Sequence, residues 1–256
     1  MASISAHTDL PGSGANALEP AARLIRALSA ALGRRAPGDP ALAPFASALG
    51  HADLSTMRPP HPGHDGPPGP ALSGLAAASA TDHAVAAAAA AAIPRLAWRR
   101  LYEGRGIDRK LGQGLMTAQA LGTWGAYPSD AVSAGFLSFA PGLQYPLHTH
   151  PAPETYYCLA GRITLQHGRE GTPFTLGPGA LSLTPPNRVH RLETGTEPAL
   201  LMYVWLGSLD GPTWWWSQRE NARWTRTAWR RAPGRAWEAS HVHFLTPAIL
   251  AEAGET

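Results

Sequence analysis

A chain of 256 residues, 44% hydrophobic and 15% charged, is long enough to bury one generous core with an extension beside it. The formal net charge of +3 is almost wholly arginine, with Lys110 the sole lysine, and no basic block lies in a recognised binding motif, so nucleic acid is not an expected partner. The single cysteine, Cys158, excludes an internal disulfide framework and suits a reducing compartment.

The opening MASISAHTDLPGSG lacks the basic start and apolar run of a signal peptide. Residues 15–33 place Leu18, Ala21, Ala22, Ile25, Leu28 and Leu32 at helical spacing, with Gly33 as the expected stop. Residues 58–70, RPPHPGHDGPPGP, form a loop or linker. Helix returns over roughly 75–102, where an alanine run supplies high propensity and Pro94 ends or kinks it. The run at 84–93 is too short to span a bilayer, so a cytoplasmic protein without membrane association is expected. Residues 1–95 thus read as a helical N-terminal extension.

From about residue 115 the pattern changes. VSAGFLSFA, ETYYCLAG, RITLQHG, PFTLGPG, ALSLTPP and ALLMYVWLG follow one another with turn-sized gaps. Such spacing predicts a mainly β antiparallel sandwich or small barrel over residues 96–209. Residues 210–256 are rich in tryptophan and arginine. There Arg219, Arg223, Arg226 and Arg230 fall on one helical face, with the tryptophans packed on the barrel and a short helix at the end. A subunit interface or a pocket lid is the alternative for this segment.

Within the strand zone, residues 145–157 read YPLHTHPAPETYY. Strand alternation turns His148 and His150 to one face, and Glu154 and Tyr156 share their parity across Pro151 and Pro153. Further on, GALSLTPPNRVH ends in His190. Gly142, five residues, His148-Thr-His150, three residues, Glu154, six residues and Gly161 resemble the first motif of the cupin superfamily. Gly179, five residues, Pro185, then Asn187, two residues and His190 resemble the second, with Asn187 where glycine is usual and Thr194 where asparagine is usual. The resemblance implies a double-stranded β-helix barrel. In a barrel interior distant strands converge, so His148, His150, Glu154 and His190 can surround one divalent first-row metal and leave positions for substrate. The other histidines have blander readings. His61 and His64 lie in the proline-glycine loop, His167 at a hairpin turn, and His241 and His243 share a strand face without a carboxylate nearby. Cys158 reads as a small buried thiol.

The aromatics around the ligands narrow the chemistry. Tyr145, Tyr156, Tyr203 and Trp205 suit a small substrate bearing a carboxylate and a cation. The carboxylate would sit on the metal and the cation against Trp205 or a tyrosine face, worth about 0.5–2 kcal/mol. A phenol becomes a usable base where a cation stabilises the phenolate, and would take a proton alpha to the carboxylate before a β leaving group departs. Tyr145 through Gly161, with His190, Tyr203 and Trp205, resembles the cupin-type dimethylsulfoniopropionate (DMSP) lyases over roughly residues 95–208. The resemblance implies β-elimination of DMSP to dimethyl sulfide and acrylate. It implies Tyr156 as base with Tyr145 its competitor, Tyr145, Tyr203 and Trp205 on the substrate, and iron, manganese, zinc or nickel on His148, His150, Glu154 and His190. The rivals are a cupin dioxygenase or isomerase with the same ligands, and a non-catalytic ligand-sensing cupin. A small zwitterion is the expected partner, with a homodimer allowed.

Overall fold

The computed structural model describes residues 19–59, 67, 82–207, 209–220, 222–231 and 236–255. The N-terminal layer contains helix α1 (Glu19–Arg35), a 3-10 turn (Pro40–Leu42), α2 (Ala43–Gly50) and α3 (His83–Ala92). In α1, Leu24, Ile25, Leu28 and Leu32 are buried at the spacing of one helical face. This helix runs through Gly33 to Arg35, two residues past the expected stop. The long helix expected over 75–102 is shorter. Asp82 caps α3 by accepting from the Val85 amide, and Pro94 falls in a 3-10 turn (Ile93–Arg95). The chain is already extended at β1 (Trp98–Arg100). Residues 75–81, and nearly all of the proline-glycine stretch with His61 and His64, lie outside the described residues.

After α4 (Arg109–Gly114) the chain is almost entirely strand: β2 (Leu115–Leu121), β3 (Val132–Phe139), β4 (Gln144–Thr149), β5 (Glu154–Ala160), β6 (Ile163–His167) and β7 (Phe174–Leu176). These are followed by β8 (Leu181–Thr184), β9 (His190–Thr194), β10 (Ala199–Leu206), β11 (Thr213–Gln218), β12 (Trp224–Arg231) and β13 (Trp237–Phe244), and the last element is α5 (Pro247–Glu252). They form two antiparallel sheets, ordered β1-β2-β3-β10-β5-β8 and β13-β12-β11-β4-β9-β6-β7.

The helical layer explains why β3, β5 and β10 read as continuous apolar runs rather than alternating ones. On β10, Met202 and Val204 pack outward against the helices, while Leu201 and Tyr203 face the barrel interior. On β5, Tyr157 and Leu159 face the helices, and Tyr156 and Cys158 the interior. Both faces are covered, so every residue of β5 is buried. Among the described residues no helix is long and apolar enough to cross a membrane.

The arginine-rich tail is not helical where its spacing pointed to a helix. Thr and Trp are concentrated in TWWWSQ and WTRTAWRR, and these β-formers set the local structure. Arg226 and Arg230 sit on β12, while Arg219 and Arg223 lie in the turn before it. The tail thereby lengthens the sheet that holds β4, with Trp214 opposite Thr149 and Trp215 opposite His148.

Asn187 holds a left-handed φ of 59° in the turn that leads to His190. Asparagine tolerates this conformation as few side chains do. Asn187→Gly is therefore expected to fold normally, whereas Asn187→Leu should lose about 1–2 kcal/mol in a urea titration.

Candidate metal centre and cavity

The predicted ligands come from both sheets. β4 and β9 are neighbours, and His148 pairs directly opposite His190. His150 follows the end of β4, and Glu154 opens β5 in the facing sheet. Shared parity therefore does not carry across Pro151 and Pro153. The chain turns from one sheet into the other there, and closure of the barrel brings the four residues together.

His148, His150 and His190 are buried, and one ring nitrogen from each lies within 4.8 Å of the others. Each Nδ1 contacts a backbone carbonyl two residues away: Pro146 at 2.8 Å, Ala152 at 2.8 Å and Arg188 at 2.9 Å. A carbonyl can only accept, so every Nδ1 carries a proton, and a ring with no second proton offers its Nε2 lone pair. For His148 and His190 that Nε2 is a buried polar atom with no hydrogen-bond partner. The Nε2 of His150 lies 3.1 Å from Glu154 Oε2, and that of His190 lies 3.6 Å from the same oxygen. Lone pairs facing each other at this range repel unless positive charge stands between them.

Electrostatics agree with this reading. Burial, with the neighbouring imidazoles adding to it, pushes His148 well below its ordinary value, and burial also lowers His190. Burial alone would raise the Glu154 carboxyl; protons that the His150 and His190 rings turn toward it hold it down at about 2, and a bound cation would take the same place. Neutral imidazoles beside an ionised carboxylate form the donor set that a divalent transition metal takes, so these residues could hold one.

A cavity of about 540 Å³ opens beside them, lined by Glu154, Tyr145, Tyr156, Tyr203 and Trp205 among others. Each aromatic singled out in the sequence reaches it. Tyr145 stacks on His148, with ring centroids 3.9 Å apart and planes at 19°. Its hydroxyl lies 2.5 Å from that of Tyr102, and both are buried. Tyr156 is buried with its hydroxyl in reach of Glu154; burial first, then that carboxylate, raises its phenol well above 10. Trp205 stacks on His150 at 4.2 Å.

Sequence reasoning missed several groups. Tyr102 lies before any recognised motif, and only the fold brings it to Tyr145. Gln119 and Ser133 line the cavity from β2 and β3. Recognising β2 as a strand would have put Gln119 on the face of Thr117, which also lines the cavity. His167 ends β6 opposite His190, with its Nε2 3.1 Å from Thr184 Oγ1. Burial, then His190, lowers His167 to about 4. His241 and His243 lie exposed on β13. Cys158 packs in the apolar interior, and burial pushes its thiol up to about 12.

Comparison with known proteins places these features. A sequence model of the dimethylsulfoniopropionate lyase family matches residues 67–201, just over half of the chain. The dimethylsulfoniopropionate lyase DddQ of Ruegeria pomeroyi is 32% identical over 114 residues, 44% of this chain and 56% of the relative. The DddL protein of Cereibacter sphaeroides is 34% identical over 116 residues, 44% of this chain and 47% of the relative. The chain thus matches about half the length of these curated relatives. The crystal structure of DddQ from Ruegeria pomeroyi superposes with a TM-score of 0.55 at 24% identity, covering 77% of this chain and 94% of that one, which establishes a common fold. With two antiparallel sheets, an N-terminal helical layer and a family match across the motif region, the chain has the cupin fold and belongs to the dimethylsulfoniopropionate lyase family.

Proposed function

We propose that this protein is a metal-dependent lyase that eliminates dimethyl sulfide from DMSP and leaves acrylate. The observation that carries the reading is the buried set of three imidazoles, two of which bring Nε2 within 3.6 Å of Glu154, at the edge of an aromatic cavity. A divalent ion held by His148, His150, Glu154 and His190, such as iron, manganese, zinc or nickel, would supply a Lewis acid for the negative charge that develops on the substrate carboxylate.

The chain's own residues do the rest. Tyr156, as phenolate, takes the proton alpha to the carboxylate. The C–H electron pair becomes the new carbon–carbon double bond, the β carbon–sulfur bond breaks, and its pair leaves on sulfur as dimethyl sulfide. No oxidant is consumed. Tyr156 then returns its proton to solvent for the next cycle. It suits this role better than Tyr145, whose hydroxyl is already committed to Tyr102 at 2.5 Å. Tyrosine rings around the cavity give the sulfonium a π surface worth about 0.5–2 kcal/mol. In this reading residues 96–209 hold the chemistry. Residues 210–256 help to wall the cavity through Leu209's neighbours Asp210, Gly211 and Thr213 and through Trp229 and Trp237.

The test is incubation of the purified, metal-loaded protein with DMSP under anaerobic conditions, with gas chromatography of the headspace and chromatography of the solution. Equimolar dimethyl sulfide and acrylate are expected. Absence of both, or a product that forms only with oxygen, would overturn the lyase in favour of a cupin dioxygenase or a sensor.

A further inference from the structure

We infer that the wall of the cavity formed by Gln119, Ser133, Tyr203 and the indole edge of Trp205 is a neutral hydrogen-bond-donor site for one oxygen of the substrate carboxylate. This deepens the lyase reading and rests on it for the identity of the substrate.

The inference comes from counting hydrogens. The Gln119 side-chain oxygen accepts from the Trp124 backbone N–H at 2.9 Å, which fixes which way the amide points. Its nitrogen therefore faces Ser133 Oγ at 2.6 Å and Tyr203 Oη at 3.3 Å, and both amide hydrogens are used. Ser133 Oγ and Tyr203 Oη lie 3.3 Å apart, so one hydroxyl donates to the other. That bond consumes one of the two hydroxyl hydrogens. The second has no acceptor among the described residues. Gln119, Ser133 and Tyr203 are each more than nine-tenths buried, and all three line the cavity, so among the described residues the cavity is the space that can bring the remaining hydrogen an acceptor.

A second observation is independent of the first. Trp205 sits directly opposite Ser133 in the β3–β10 register, and its Nε1 is a buried atom without a hydrogen-bond partner. One face of the indole is covered by the His150 ring at 4.2 Å. Trp205 lines the cavity with its N–H unspent and shielded from solvent, so a small shift of the indole would bring that donor to a substrate oxygen. Two unspent donors on adjacent strands call for an acceptor. A sulfonium centre is no acceptor, but a carboxylate oxygen is a strong one. Neutral donors also bind a carboxylate without repelling the cationic end of the same molecule, as an arginine would.

The backbone is built around this cluster. Gly122 takes a φ of 139°, and a Cβ there would lie 2.6 Å from Gln119 Cδ. The turn from Gly122 to Trp124 thus makes room for the amide and supplies the N–H that orients it.

The test is calorimetric titration of the metal-loaded protein with two half-substrates: 3-(methylthio)propionate, which has the carboxylate and no cation, and trimethylsulfonium, which has the cation and no carboxylate. Ser133→Ala and Trp205→Phe should each weaken 3-(methylthio)propionate by about tenfold, the worth of one hydrogen bond to a charged group, and change trimethylsulfonium by less than about twofold. Gln119→Glu keeps the shape and the Trp124 contact but turns two donors into an acceptor, so it should weaken the carboxylate probe and not the cation. Ser133→Thr should retain carboxylate binding. Circular dichroism and metal content are measured on each variant, and Ser133→Thr and Gln119→Glu carry the decision should Trp205→Phe lose metal or fold. Unchanged carboxylate binding, equal losses for both probes, or a loss confined to trimethylsulfonium would overturn the assignment, the last because it would mean that the indole works through its face. DMSP turnover is not the readout. A chain that binds the probes as expected but releases no dimethyl sulfide refutes the lyase and not this wall, and the converse refutes the wall alone.

Discussion

Tyr156→Phe is expected to lower the turnover of DMSP by on the order of 10²-fold or more while leaving the bound metal in place, the usual consequence of removing a general base. The substitution deletes only the hydroxyl. The ring sits in a fully buried strand, 1% exposed, and phenylalanine fills the same space. The lost group is a phenol beside Glu154 whose proton is held tightly while that carboxylate is unpaired. Acrylate release and metal analysis on the same sample check the expectation. Unchanged turnover would move the role to Tyr145. Tyr145→Phe is expected to act differently, because it breaks the contact with Tyr102 and a ring stacked on His148.

His150→Ala is expected to abolish metal binding and turnover together. His150 is held at both ends: Nδ1 donates to the Ala152 carbonyl, and Nε2 faces Glu154 at 3.1 Å. Removing the ring takes one of three inward lone pairs and uncovers Trp205, which stacks on it. A site with one ligand fewer binds a first-row ion far more weakly. Plasma emission spectrometry of the purified variant, with acrylate release, checks it. A variant that retains stoichiometric metal would contradict the ligand set.

How much of this was legible in the sequence follows from where the information lies. The first helix of the N-terminal layer was readable because Ala21, Ala22, Ile25, Leu28 and Leu32 recur at helical spacing, and all five are buried. The strands β3, β5, β6, β7, β8 and β10 were readable from apolar runs between glycines and prolines. The tail was misread because arginines at helical intervals are a weaker signal than the tryptophans and threonines between them, whose packing on the extended sheet decided the outcome. At the site, His148, His150, Glu154 and His190 stood out as motif positions with fixed spacing. Tyr102, Gln119 and Ser133 did not, because each is an ordinary residue in an ordinary stretch. Their meaning comes from partners far along the chain: Tyr145 for the first, and Tyr203 for the other two.

The account turns on a divalent ion held among the three imidazoles, beside the carboxylate of Glu154. The most direct measurement is DMSP turnover of the same preparation before chelation, after chelation and dialysis, and after divalent metal is restored, with circular dichroism at each stage. The account predicts a chelated protein that stays folded, makes no acrylate, and recovers activity in proportion to the metal it takes up. A folded, metal-stripped protein that still produces acrylate at its original rate would contradict it.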